Sequence, residues 1–235
     1  MNKVPNPRTP APARELELTL MMADLCGYTA LTETHGALQA SETVLRFVRL
    51  VEASLSPGVR IVDSIGDAVF CAGENAEEVV AMALRLRDAV ARESGFPRIS
   101  TGLHRGLVVE REGRLFGSPI NLTARLTSRA GADQILCTAE IASVLSPLKV
   151  VHCNPLGQLA FKNVARPVEV YEVAHAPHTE EIEFVDPVCR MQVGPAQVAA
   201  TVSHGGVTYR FCSTGCARAF SAAPSLYATS AGGPV

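Results

Sequence analysis

"IVDSIGDAVF", residues 61–70, decides how the first two thirds of this chain fold. Apolar residues run into Gly66 and resume directly after it, which predicts a β-hairpin. Its arms are Ile61 to Ser64 and Ala68 to Cys71, with a tight turn at Gly66. An aspartate stands on each side of that turn, Asp63 and Asp67. A lone aspartate beside a turn is usually a turn former, so its meaning depends on its neighbours. Asp24 closes an apolar stretch at 17–24 that reads as a buried strand. If that strand neighbours the hairpin, Asp24 and Asp67 emerge at the same sheet edge.

Outward from this point the pattern alternates between strands and helices. "CGYTALTETHG" after Asp24 favours a turn into a helix, and residues 37–54 carry apolar side chains at helical spacing. "NAEEVVAMALRLRDAVARESG" is the clearest helix, with Asn75 as its cap and Gly95 as its stop. "RISTGLHRGLVVE" is strand-like, and "NLTARLTSRAGADQILCT" gives a helix followed by a strand. The order implies an α/β or α+β sheet covered by helices.

Composition narrows the function classes. The chain has 235 residues, 47% apolar and 5% aromatic with no Trp, so its core is built from aliphatics and Ala. A net charge of −2 leaves no electrostatic footprint for nucleic acid or an anionic membrane. The run "LTLMMA" is far shorter than the roughly 18 residues of a membrane span. Residues 1–14 are Pro-rich, lack a hydrophobic segment and read as a disordered tail and not as a signal peptide. Seven cysteines, an odd number, fit reduced thiols in a cytoplasmic protein.

Composition shifts at "AHAPHTEEIEF", which suggests a linker at 175–184. It separates a main domain at 15–174 from a small one at 185–228, and 229–235 reads as a flexible tail. The small unit concentrates three cysteines, so something besides its core is expected to hold it.

Two constellations carry chemistry. In the first, Asp24 and Asp67 suit Mg²⁺, which prefers a few carboxylates plus water and phosphate oxygens. Gly27, Tyr28 and Thr29 would offer backbone N–H groups to a triphosphate at a helix start. "INLTARL" sets Asn121 and Arg125 four apart on one helix face. Metals, a phosphate cradle, an orienting amide and a cation are the parts of a phosphoryl-transfer site. Each piece alone has a plainer reading as a turn residue or a solvated surface group.

Five stretches lift them above that: "LTLMMADLCGYTALTETHG", "IVDSIGDAVF", "STGLHRGLVV", "FGSPINLTARL" and "FKNVARPVEVYEV". In this order they resemble the signature blocks of the class III nucleotidyl cyclase catalytic domain. The resemblance implies an α+β, ferredoxin-like βααβ fold with an antiparallel sheet, and a head-to-tail homodimer whose active sites lie between the chains. It implies that Asp24 and Asp67 hold two Mg²⁺ or Mn²⁺ ions, that Asn121 orients the ribose, and that Arg125 stabilises phosphate charge. The aspartates would come from one chain and Asn121 and Arg125 from the other. The implied reaction converts a nucleoside triphosphate, ATP before GTP, to the 3′,5′-cyclic nucleotide and pyrophosphate. Lys162 and Arg166 are further phosphate contacts or plain surface cations.

The resemblance breaks at the base. Adenylate cyclases of this family carry Lys where this chain has Asp63, and Asp where it has Arg114. Three readings stay open: the exchange preserves adenine recognition, it redirects the pocket to guanine, for which Arg is a natural bidentate partner, or Asp63 and Arg114 pair and close the pocket. The last would make a weak or inactive module that binds nucleotide or only dimerises.

The second constellation is "DPVCRM" at 186–191 followed by "VTYRFCSTGCARAF" at 207–220. Cys212 and Cys216 lie four apart, so a helix starting near Ser213 would bring their thiols close, and Cys189 would join from a separate turn. Three thiolates and a fourth ligand, with His204 or Asp186 as candidates, suit Zn²⁺ or Cu⁺. Buried cysteines serving as small hydrophobes are the plainer reading. The segment resembles the YHS domain, a small treble-clef-like module, and the resemblance implies metal binding without fixing the metal.

Overall fold

A computed structural model describes residues 12–146, 151–174, 184–194 and 197–228. The tail expected at 1–14 lies outside these up to residue 11, as do residues 175–183 of the expected linker and the tail at 229–235. Arg14, placed in the tail by composition, is the first residue of a strand.

The first strand, β1 (Arg14–Leu25), lies inside the sheet between two others, and both of its faces are covered. Met21, Ala23 and Leu25 point into the main core, whereas Leu18 and Leu20 point into a second cluster with Val108 and Leu115. β1 is longer than the apolar run 17–24 because it pairs residue for residue with β4 (Ile99–Arg111), from Arg14 opposite Glu110 to Leu25 opposite Ile99. On its other side it pairs with β3 (Ala68–Gly73), whose hairpin partner is β2 (Val59–Ile65). Gly66, at φ 61, makes the turn between them.

The sheet continues through β6 (Ile135–Thr138), β8 (Val168–Ala174) and β7 (His152–Leu159), in the order β2-β3-β1-β4-β6-β8-β7. The short β5 (Arg114–Phe116) folds back on β4. All pairings are antiparallel but one: β4 and β6 run parallel, because α3 (Ser118–Arg129) crosses over between β5 and β6. The expectation of an antiparallel sheet is corrected at that pair.

Two helices cover one face. α2 (Ala76–Ala91) starts at Asn75, whose side chain accepts from the Glu77 N–H, and it buries Val79, Val80, Met82, Leu86 and Val90. The other, α1 (Tyr28–Ser54), begins nine residues before the expected 37–54, and Gly36 breaks it at φ 84, ψ 162. Its second segment packs Phe47 and Val51 into the main core, while its first segment buries Leu31 in a different cluster. A short α4 (Ala139–Leu145) closes the far end with Ile141 and Leu145.

The C-terminal module is a hairpin, β9 (Ala200–His204) and β10 (Val207–Phe211), with the helices α5 (Thr214–Ala222) and α6 (Pro224–Tyr227). Phe220 sits at its centre against Tyr209, Phe211 and Tyr227. Leu31 of α1 completes that core. The module docks through its own backbone as well. Gln192 donates its N–H to the Phe96 carbonyl, Arg98 donates to the Arg190 carbonyl, and Pro97 bridges Met191.

The contact that sets α3 against the sheet is Gly102 on β4. A Cβ there would lie 2.5 Å from the Thr127 nitrogen and 2.7 Å from the Thr123 carbonyl oxygen. Gly102→Ala is therefore expected to cost about 2–3 kcal/mol in urea unfolding. A loss under about 0.5 kcal/mol would mean that α3 shifts freely.

Candidate functional site

The turn from β1 into α1 holds the first group of site residues. Asp24 lies opposite Ala68 on β3 and Ser100 on β4, and the Leu25 N–H donates to the Asp67 carbonyl at 3.3 Å. This sets the carboxylates of Asp24 and Asp67 close enough for each to feel the other's charge. Burial, and then the charge and hydrogen bond of Asp67, push the Asp24 carboxyl up to about 6. Two crowded carboxylates of this kind fit divalent cations, whose charge would relieve the repulsion.

Gly27 follows at φ 75 as the N-cap of α1, and no side chain caps that helix. Its carbonyl accepts from the Leu31 N–H at 2.8 Å. The N–H groups of Tyr28, Thr29 and their neighbours thus stand at an uncapped helix start, beside Asp24, where anions are favoured. The first turn carries no acidic residue to oppose this.

Asn121 and Arg125 stand apart from the aspartates, exposed on α3. With Lys162, Asn163, Pro119 and His104 they line a cleft of about 480 Å³ that includes neither Asp24 nor Asp67. His104 lies at its floor, with Nδ1 2.9 Å from the Thr138 hydroxyl oxygen, and burial lowers its pKa against the opposing pull of Glu140. In sequence His104 falls within the strand-like stretch "RISTGLHRGLVVE", and nothing in its local pattern marks it as a cleft residue. Arg166 does not line this cleft.

Asp63 is exposed on β2, at a register shift, and its carboxylate accepts from the Ser64 N–H at 2.8 Å. Arg114 is exposed at the start of β5, opposite Arg111. Among the described residues no ion pair joins Asp63 to Arg114.

The cysteines converge. Cys189 Sγ is 3.4 Å from Cys212 Sγ, which is 3.9 Å from Cys216 Sγ. The neighbouring thiols' hydrogen bonds lower the Cys216 pKa and raise that of Cys189. Ser213 caps α5 by accepting from the Cys216 N–H, which fixes the helix start expected there. Asp186 is fully buried and does not join the thiols as a ligand. Its carboxylate accepts from the N–H groups of Val188, Cys189 and Cys212, holding both thiol-bearing turns. His204 lies edge-on to Phe220, away from the sulfurs. The residue beside them is His35, near the end of the first segment of α1, which the sequence reading did not single out.

A divided site of this form, carboxylates on one loop and an Asn–Arg helix on another, sits on the fold of the nucleotide cyclases. The family model of the adenylate and guanylate cyclase catalytic domain matches residues 12–174, and that of the YHS domain matches 184–231. The chain belongs to the adenylate and guanylate cyclase catalytic-domain family and carries a YHS domain behind it.

An uncharacterised protein of Mycobacterium tuberculosis is 30% identical over 166 residues, covering 70% of this chain and 43% of its own length. An adenylate cyclase of Streptomyces griseus is 33% identical over 124 residues, covering 52% of this chain and 31% of its own. The chain thus spans less than half the length of these relatives. Among solved structures, the adenylyl cyclase CyaB from P. aeruginosa superposes with a TM-score of 0.62 at 22% identity, covering 72% of this chain and 99% of that one. The guanylate cyclase domain of RhGC from Catenaria anguillulae gives 0.56 at 19% identity, covering 70% of this chain and 100% of that one. Both likenesses speak for the fold. Among the described residues, no helix is long and apolar enough to cross a membrane.

The carboxylate pair predicts a pH dependence. Folded Asp24 titrates near 6, above its unfolded value of about 3.9. The native state therefore holds more protons in that window, and the metal-free protein should lose stability as pH rises through it. Asp67→Asn should make this fall shallower and raise Tm at pH 7 in chelator by about 2–4 °C. Thermal melts of both proteins across the window check this, and identical profiles would mean that the two carboxylates do not feel each other.

Proposed function

We propose that this chain is a class III nucleotidyl cyclase, with ATP the preferred substrate over GTP, working as a homodimer. The observation that carries the reading is the crowded pair Asp24 and Asp67 beside the uncapped start of α1. Asp24 and Asp67 would hold two Mg²⁺ or Mn²⁺ ions, which when bound supply charge neutralisation at the phosphates and a more acidic ribose 3′-hydroxyl. Backbone N–H groups at Gly27, Tyr28 and Thr29 would cradle the β- and γ-phosphates.

Asn121 would hold the ribose so that O3′ lies in line with the α-phosphorus and the leaving pyrophosphate oxygen. Attack would form the O3′–P bond and break the bond to pyrophosphate, with the hydroxyl proton passing to solvent water. Arg125 would stabilise the charge that grows on the phosphate oxygens, and Lys162, in the same cleft, adds a second cation.

The separation of the two groups supports a dimer, since the cleft holds Asn121 and Arg125 without an aspartate and the aspartates of a second copy would complete it. Exposed Ile65, Leu107 and Phe116 offer apolar surface for that contact. The preference for ATP is supported by relatives named adenylate cyclase. Asp63 and Arg114 would read the base, Asp63 accepting from the exocyclic amine and Arg114 donating to a ring acceptor. Their lack of a mutual ion pair favours an open pocket over a closed one. In the small module, Cys189, Cys212 and Cys216 would hold one Zn²⁺ or Cu⁺ ion. The protein is proposed to act in the cytoplasm.

The test is cyclic-nucleotide production from ATP and from GTP with Mg²⁺ or Mn²⁺. Asp67→Ala should abolish product, and Arg125→Ala should lower kcat about 10²- to 10³-fold. Mixing those two inactive variants should restore about one quarter of wild-type activity, because half the dimers would carry one intact site. No product from the wild-type dimer, with nucleotide still bound, would replace this reading with that of a binding module. Asp63→Lys with Arg114→Asp should raise the ATP-to-GTP rate ratio if the pair reads the base, and an unchanged ratio would remove it from that role.

A further inference from the structure

We propose that His35, Cys189, Cys212 and Cys216 form one four-coordinate Zn²⁺-class site shared by both modules, and that its ion clamps the first segment of α1 to the YHS domain. The proposal rests on reading the three thiols as ligands, and adds the fourth ligand and what it connects.

His35 Nε2 lies 3.4 Å from Cys212 Sγ and 3.6 Å from Cys216 Sγ, and all four donor atoms fall within 4.8 Å of one another. A regular tetrahedron with Zn–S near 2.3 Å and Zn–N near 2.05 Å has S···S edges of about 3.8 Å and S···N edges of about 3.5 Å. The observed S···S distances of 3.4 and 3.9 Å bracket the first value, and the two S···N distances bracket the second. With the remaining donor–donor distances inside 4.8 Å, three sulfurs and an imidazole supply the four donors of a tetrahedral site, which suits Zn²⁺ better than a cation content with fewer thiolates.

The donors are held in advance. Asp186 fixes the turns of Cys189 and Cys212, Ser213 fixes the first turn of α5, and the Cys216 thiol donates to Thr34 Oγ1 at 3.5 Å. On the cyclase side, Leu31 lies in the apolar cluster of the small module, so the helix carrying His35 is already seated there. Gly215 packs against the Thr34 carbonyl, at 3.1 Å from where its Cβ would stand.

The segment so held is short and leads to the phosphate-facing loop. It begins at the Gly27 cap and ends at the Gly36 break. At the Gly27 end, the backbone of Cys189 is so near that an added Cβ would stand 3.0 Å from its carbonyl carbon and oxygen. The Arg190 carbonyl accepts from Arg98 N–H, and the Arg98 carbonyl accepts from Cys26 N–H, two residues beyond Asp24. An ion between the modules would thus fix both ends of the segment that presents Gly27 to Thr29.

The experiment titrates Co²⁺ into the reduced, metal-free full chain and follows its ligand-field and thiolate charge-transfer absorption. Wild type should show a tetrahedral spectrum that Zn²⁺ displaces. His35→Ala should weaken binding at least about tenfold and shift the ligand-field band. His35→Cys should restore tight binding with the band of a four-thiolate site, and serves should the alanine variant fold poorly. Zn²⁺ should also slow amide hydrogen exchange at 26–35 in wild type and not in His35→Ala. Failure of wild type to bind Co²⁺ would end the reading of the thiols themselves. Tight, spectrally unchanged binding in both His35 variants would keep the thiol site and overturn the shared one. Exchange indifferent to Zn²⁺ would overturn the clamp.

Discussion

The pairing of β1 with β3 on one side and β4 on the other is the constraint from which the rest of the molecule follows. A central strand with both faces buried has no freedom of register, because a shift of one residue would turn every core side chain outward. Locked in this way, β1 delivers Asp24 beside the hairpin turn that carries Asp67, two like charges that would otherwise avoid each other. The ladder imposes that repulsion, and the surrounding core is large enough to sustain it.

The same ladder explains why the aspartate pair and the Asn121–Arg125 helix face are divided. β4 is the second long strand, and α3 lies on it through the bare backbone of Gly102. That close approach directs Asn121 and Arg125 into a cleft floored by His104, separate from the aspartate loop. In the proposed homodimer, each chain would supply two half-sites of opposite charge. Two-fold symmetry is the simplest way to bring such halves together, since one interface then makes two equivalent sites.

How much was legible in the sequence differs by region. The hairpin at 61–70 was readable because alternation and a glycine turn are local signals. β1 was readable as a buried strand but not to its full length, since its charged start, Arg14 to Glu17, is held by β4 and not by hydrophobicity. The first segment of α1 looks like a turn into the helix from sequence, because its buried residue Leu31 faces a module encoded much later. Asp24, Asp67, Asn121 and Arg125 were picked out largely through resemblance, because each alone looks like an ordinary turn or surface residue. Cys212 and Cys216 could be paired from spacing. His35 could not, since it stands 177 positions from Cys212 and no local pattern distinguishes it from a solvated histidine.

Gly36 makes α1 a helix with two allegiances: Phe47 and Val51 beyond it are buried with the large sheet, and Leu31 before it is buried with Phe211 and Phe220. The border between the modules in sequence is therefore not their border in space. Cutting the chain within residues 175–183 would leave Leu31 facing water on one fragment and an open apolar seat on the other. It would also strip the Arg98 and Gln192 amides of their carbonyl partners. The two modules therefore share one interior, and neither surface is complete without the other.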